Sequence, residues 1–349
     1  MKIGAFTKGF FLKPTHFSRC FWLLLVMFLV KSLSLKAQEV IPTYSDYLVN
    51  NLYLLHPSMA GASNFDQLRI TGRTQWFDVQ DAPNLQTVAY NFRKGERIGL
   101  GGIFFRDENG NYSKIGAYGT VAYHLMFSRS TADLNQLSFG ISGGILQHRL
   151  DASSFTRFDP IIGNSQADIF ANMDIGVSYY VRDLYFHLAA KNIITVKRDL
   201  FYSNAIPNNM RKYLLSAGYI FSLDRSRNWS YEPSLLLQVR EANSEITIDL
   251  NAKAYYDLEN GKLFGGISYR NSFDGAEYTT TGDEVKSEQL RYITPFLGLN
   301  YDRFMFGYTF SYQLNSLVLS NNGFHQITLG YNFGESRKRY DCKCPAINN

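Results

Sequence analysis

The sequence predicts an all-β fold: a transmembrane antiparallel β-barrel of about fourteen strands, of the outer-membrane type. Three observations predict it. The chain opens with an export segment, apolar residues then recur at every second position along most of its length, and the links between alternating stretches are short at one end and long at the other.

The export segment comes first. Lys2, Lys8, Lys13 and Arg19 form a basic leader ahead of the ten-residue apolar run FWLLLVMFLV, Phe21 to Val30, and Ala37 offers a small residue at a cut site. Such a run suits a signal peptide and is too short for a spanning helix, which needs about 20 apolar residues. Residues 1–37 therefore read as a signal peptide. Residues 38–66 do not alternate and read as a periplasmic segment and candidate plug.

The barrel is expected over 67–333. Alternating stretches run over 67–77, 86–93, 97–105, 114–127, 136–148, 171–181, 184–191, 211–223, 229–240, 245–257, 263–270, 289–301, 304–314 and 323–333. A period of two is the signature of a strand, whose successive side chains point to opposite faces. In the thirteenth stretch Phe304, Phe306, Tyr308, Phe310, Tyr312 and Leu314 share one face, opposite Met305, Gly307, Thr309, Ser311 and Gln313. In the tenth, Ile246, Ile248 and Leu250 oppose Thr247, Asp249 and Asn251.

Alternation alone fits a soluble sandwich equally well. The connections separate the two cases. Links after even-numbered stretches are short, such as KGE, RD and DR, whereas three after odd-numbered ones, 149–170, 192–210 and 271–288, are near twenty residues. Outer-membrane barrels combine tight periplasmic turns with longer external loops. Each unpaired backbone group in lipid costs several kcal/mol, so a spanning sheet must close on itself. The aromatic face then meets lipid. At this size the interior is too wide for one row of side chains to fill, so its charges are expected hydrated or paired. Both termini fall on the periplasmic side, and residues 334–349 form a polar periplasmic tail.

Composition agrees. The 24 tyrosines and 27 phenylalanines coexist with a mean hydropathy of −0.19, as when apolar residues occupy alternate positions. The formal charge of +5 comes from the leader, which holds six Lys/Arg and no acid; 35 less six leaves 29 basic against 30 acidic side chains. Nothing in that balance points to nucleic acid.

Sites of chemistry are few. His56, His124, His148, His187 and His325 are scattered outside any nucleophile motif, and no Walker A, Rossmann, G-x-S-x-G or H-E-x-x-H pattern occurs. The sequence reads as a non-enzyme with no cofactor and no metal. Arg69, Arg73, Asp174, Lys191, Asp249 and Lys253 fall on polar faces and are candidate lumenal charges, either contacting a substrate or pairing with one another. In the tail, Cys342 and Cys344 suit a disulfide or a partner contact, beside the basic cluster Arg337, Lys338 and Arg339.

The N-terminal region resembles the PorP/SprF family of Bacteroidota outer-membrane proteins. That family reads Y-x-x-N-x-x-x-x-N-P-A-x-A-G, then R-x-Q-W and A-P-x-x-Q-T. Matching residues are Tyr47, Asn51, Pro57, Ala60, Gly61, Arg73, Gln75, Trp76, Ala82, Pro83, Gln86 and Thr87, and the terminal Cys344-Pro345 is also similar. His56 stands where asparagine is usual, and Ser58-Met59 replaces an alanine and an aromatic residue. The resemblance implies an accessory component of the type IX secretion system. It would dock or anchor exported cargo such as gliding adhesins, and contact the periplasmic machinery. The competing expectation is a pore for small or hydrophobic solutes.

Overall fold

The structure, a computed structural model, describes residues 51–75, 82–128, 134–151, 165–194, 211–222, 228–242, 244–279, 285–314 and 323–334; for 165–166, 274–279 and 285–288 only the backbone is described. All of these lie in the compact unit Ala37–Asn349. The leader, residues 38–50, Trp76 and the tail with Arg337, Lys338, Arg339, Cys342 and Cys344 lie outside the described residues.

Fourteen strands form: β1 (Asp66–Gln75), β2 (Asn84–Lys94), β3 (Ile98–Asn109), β4 (Tyr112–Met126), β5 (Asn135–Asp151), β6 (Ser165–Val181), β7 (Leu184–Lys191), β8 (Lys212–Tyr219), β9 (Trp229–Arg240), β10 (Ile246–Leu258), β11 (Gly261–Thr279), β12 (Val285–Tyr301), β13 (Phe304–Gln313) and β14 (Phe324–Phe333). Each pairs antiparallel with its sequence neighbours, and the sheet closes between β1 and β14. The closing ladder runs unbroken from Asp66↔Phe333 to Gln75↔Phe324, so the sheet has no open edge at the level of the seam.

The faces sort as alternation requires. On β13, Phe304, Phe306 and Tyr312 are exposed on the outer wall, whereas Met305, Thr309 and Ser311 are buried inside. Ile70, Val88, Phe104, Ile141, Leu188, Leu250 and Ile267 continue the exposed apolar belt round the barrel. No described helix is long and apolar enough to cross a membrane; the strands provide the crossing.

Two expectations are corrected. The gap 106–113 is strand almost throughout, with only Gly110-Asn111 at the turn. The gap 271–288 continues as ladder to Thr279 and resumes at Val285, with a register shift between Asn271 and Gly275. There the chain is polar on both sides. A ribbon that stands in water beyond the hydrocarbon layer, which about ten tilted residues span, has no greasy face to betray it. The loop asymmetry therefore narrows, though the turns at 182–183, 259–260 and 302–303 stay tight. Thr71, Thr309 and Thr328 on the inner wall are at most 1 % exposed, so that wall is packed rather than bathed.

Two prolines interrupt ladders. Pairing of β12 with β13 skips Thr294 and Pro295, and pairing of β8 with β9 stops at Gly218↔Ser234, resuming at a single bridge, Phe221↔Tyr231, beyond Pro233. Proline has no N–H to donate, so each removes a bond from the wall.

Candidate functional site

The chain's own N-terminal segment packs against the inner wall of the barrel. Residues Leu52–Leu54 and Pro57–Met59 form two 3-10 turns, and Gly61, at φ +65, lets the chain bend toward β1. Tyr53, Leu54, Leu55, His56, Ser58, Met59 and Ala60 are all buried.

Both apolar and polar contacts hold the segment. Tyr53, Leu54, Met59, Ala60 and Ala62 share a hydrophobic cluster with Leu85, Ala89, Ala122, Leu134, Tyr180 and Tyr185 of the barrel. Leu55 packs separately with Ala189, Leu214 and Leu236. Burial of each such leucine contributes about 1.5–3 kcal/mol. The Tyr53 hydroxyl donates to Thr120 Oγ1 at 2.7 Å on β4. His56 Nε2 meets Ser216 Oγ at 2.9 Å on β8, and Ser58 Oγ meets Ser178 Oγ at 2.6 Å on β6. His124 Nε2 donates to the Ala60 carbonyl at 3.0 Å, and Arg93 Nε to the Gly61 carbonyl at 2.7 Å. The Gly61 N–H in turn reaches Asn91 Oδ1 at 3.0 Å. These partners lie toward the short-turn ends of their strands.

The wall is shaped to receive it. A Cβ at Gly99 would overlap the Ala60 carbonyl, and one at Gly140 would overlap the Pro57–Ser58 peptide. At Gly101 it would strike the Tyr53 ring, and at Gly176 it would press on Pro57 and Ser58. Four strand glycines, each a poor strand former, thus make a bed for one segment.

The six predicted lumenal charges all face inward, but they do not form one site. Asp174 and Lys191 pair at 3.4 Å. Asp174 Oδ1 also accepts the Asn192 N–H, while Lys191 Nζ donates to the Leu54 carbonyl at 2.8 Å, joining this pair to the inserted segment. Asp249 holds Arg270 in a two-pronged bond of 2.6 and 2.7 Å. Lys253 sits 4.6 Å from the ring centroids of both Tyr255 and Phe264. Arg69 donates to the Leu68 carbonyl and to Asn332 Oδ1, and Arg73 lies over the Phe324 ring at 4.4 Å. Of the six, Asp174 and Lys191 are thus ion-paired with each other and Asp249 with Arg270.

Several inner-wall groups escape sequence reasoning. The Glu232 carboxylate accepts the hydroxyls of Tyr185 and Tyr255 at 2.5 Å each, and Arg240 pairs with Glu245 at 3.2 Å. His187 links to Ser178 at 2.7 Å and stacks 4.8 Å from His56. Burial, then the neighbouring His187 and Lys191, holds the His56 imidazole well below its usual pKa and so neutral. In this cluster His56 and Ser58 join segment to wall, His187 with Ser178 joins wall to wall, and His56, Ser178 and His187 are fully enclosed. The arrangement fastens segment to wall.

The profile described as type IX secretion system membrane protein PorP/SprF matches residues 36–331. The chain belongs to the PorP/SprF family. It is accordingly a component of the type IX secretion system and an outer-membrane β-barrel. Family-motif residues Pro57, Ala60 and Gly61 lie in the inserted segment, and Pro83 accepts the Gln75 N–H through its carbonyl at 3.0 Å. Two of the departures from the motif, His56 and Ser58, make hydrogen bonds to β8 and β6.

No curated protein matches the chain. Among solved structures, the TodX monoaromatic hydrocarbon channel deltaS2 mutant is similar at 10 % identity, over 82 % of this chain and 95 % of that one, with a TM-score of 0.47. The CymD monoaromatic hydrocarbon channel is similar at 10 % identity over 85 % and 95 %, TM-score 0.46. A Pseudomonas aeruginosa FadL homologue follows at 8 % over 77 % and 89 %, TM-score 0.41. At these values none bears on what this chain binds.

Proposed function

We propose that this PorP/SprF protein is an accessory docking component of the type IX secretion system. It anchors an exported cargo protein, such as a gliding adhesin, on its external loops and ribbons, and contacts the periplasmic machinery from the opposite end. The observation that supports this reading is the lodged segment: residues 51–61 pack against the inner wall, and a barrel occupied by its own chain works by its surfaces. Both ends of the barrel domain support the orientation, because β1 starts and β14 finishes on the short-turn side; on this reading the chain before residue 51 and the tail 334–349 face the periplasm. On this reading the protein is not an enzyme, and the tail cluster Arg337, Lys338, Arg339 with Cys342 and Cys344 is a partner contact.

A pore for small or hydrophobic solutes is the competing reading, favoured by the polar inner wall. One pair of measurements separates the two. Deletion of the gene should strip a defined set of secreted proteins from the cell surface, and the purified barrel should be nearly silent in planar bilayers. Full surface display without the gene, together with steady conductance, would replace docking by transport.

A further inference from the structure

Strand lengths differ sharply round the barrel, and the difference leaves backbone unpaired. β6 runs over Ser165–Val181, but its neighbour β7 pairs only with Ile175–Val181. The last bond on that side is from the Ile193 N–H to the Met173 carbonyl at 2.9 Å. Groups along a strand point alternately to its two sides. Ala171, Ile169 and Ala167 therefore aim N–H and C=O at the same open edge as Met173. Among the described residues nothing pairs with them there, while the β5 side stays in register through Asp151↔Ser165.

A second tall ribbon provides the contrast. Val285–Leu290 of β12 also lacks a partner on the β13 side among the described residues. That stretch, VKSEQLR to Arg291, carries Lys286, Glu288 and Arg291, and β11 beside it carries a register shift. Charges and bulges are how sheet edges are kept from pairing with other chains. The β6 edge, Gln166 to Ala171, carries a single charge, Asp168, and no lysine, arginine or proline, and Ile169 stands 64 % exposed. About ten tilted residues span the hydrocarbon layer, so this end of a 17-residue strand stands at or beyond the membrane surface.

We propose that the open edge of β6, Ala167 to Ala171, receives an extended segment of the exported cargo by strand addition. Only another extended backbone can match a row of alternating donors and acceptors. Apolar side chains on every second residue of that segment would lie beside Ile169. This inference rests on the docking reading and gives it an address.

The test uses the full-length protein in its own host. Deletion first defines the surface proteins that depend on the barrel. Ile169→Pro then removes the edge-directed N–H without touching the β5 ladder, and Ile169→Lys plants a charge on the edge; heat-modifiable gel mobility verifies folding of each. Both should lower display of that same set about tenfold, whereas Gln289→Pro on β12 should leave it unchanged. A benzoylphenylalanine at position 169 should photocrosslink to a member of the set. Folded Ile169 variants with full display would overturn the proposal. So would an adduct with a second copy of the barrel, or no adduct at all. If deletion itself releases nothing, the docking reading fails separately, and the crosslink at 169 still decides whether the edge takes a foreign strand.

Discussion

The two halves of the lumen are held by different physics. From β2 to β8 the wall grips the inserted segment through hydrogen bonds to its hydroxyls and carbonyls, a glycine bed and a hydrophobic cluster. From β9 to β12 the wall is held to itself, through Asp249–Arg270, Arg240–Glu245, and Lys253 against two aromatic rings. The first half resembles a protein core whose centre is the chain's own N-terminal segment. The second resembles a sheet stapled across its own rungs. Damage to one should therefore differ in kind from damage to the other: the stapled half should lose barrel stability, and the bedded half should lose its seal.

The largest effect is expected in the stapled half. Asp249→Ala leaves the Arg270 guanidinium buried without its carboxylate, at a cost of about 3–5 kcal/mol. Urea unfolding in lipid vesicles should show that loss while bilayer conductance stays near zero. The double change Asp249→Leu with Arg270→Met should recover most of the stability, since a well-packed apolar pair replaces a buried ion pair at little cost.

Next in size is the glycine bed. Gly140→Val drives a side chain into the Pro57–Ser58 peptide, and overpacking of this kind costs about 1–3 kcal/mol. The segment, with fewer anchors than the wall, should yield first. Conductance should appear in planar bilayers, and a barrel that stays silent and equally stable would remove the distinction between the halves. Ser58→Ala should be milder, at about 1 kcal/mol for one hydrogen bond to Ser178. The smallest change runs the other way: Pro295→Val restores a donor to the β12–β13 ladder and should raise stability by about 1 kcal/mol in the same unfolding assay.

How far the sequence carried this picture depends on where alternation had a reason to exist. Within the bilayer one face must be apolar, so β7 and β9 lie over the predicted residues and β13 differs from them by one. Beyond the bilayer both faces of β11 and β12 are polar, and their extended backbone left no trace in side-chain type. The inward direction of the six charges was legible from parity. Their partners were not, because Arg270 lies across the ladder from Asp249 and 21 residues away in sequence. The inserted segment was visible as a stretch without periodicity. Its bed was harder to see, since Gly99, Gly101, Gly140 and Gly176 lie on three separate strands and mean nothing until the barrel closes. Even His56 and Ser58 were noticed as departures from a family motif before their hydrogen bonds explained what they hold.

One measurement reaches the premise beneath all of this, namely which wall of the sheet meets acyl chains. Nitroxide labels at Phe306→Cys and at Met305→Cys, with Cys342 and Cys344 changed to serine, can be compared in lipid vesicles by their relaxation with dissolved oxygen. Phe306 stands 45 % exposed on the outer wall, whereas Met305, one residue away, is 3 % exposed inside. The label at 306 should respond strongly to oxygen and the label at 305 weakly. Equal responses, or the reverse order, would mean that the greasy face does not look out upon lipid.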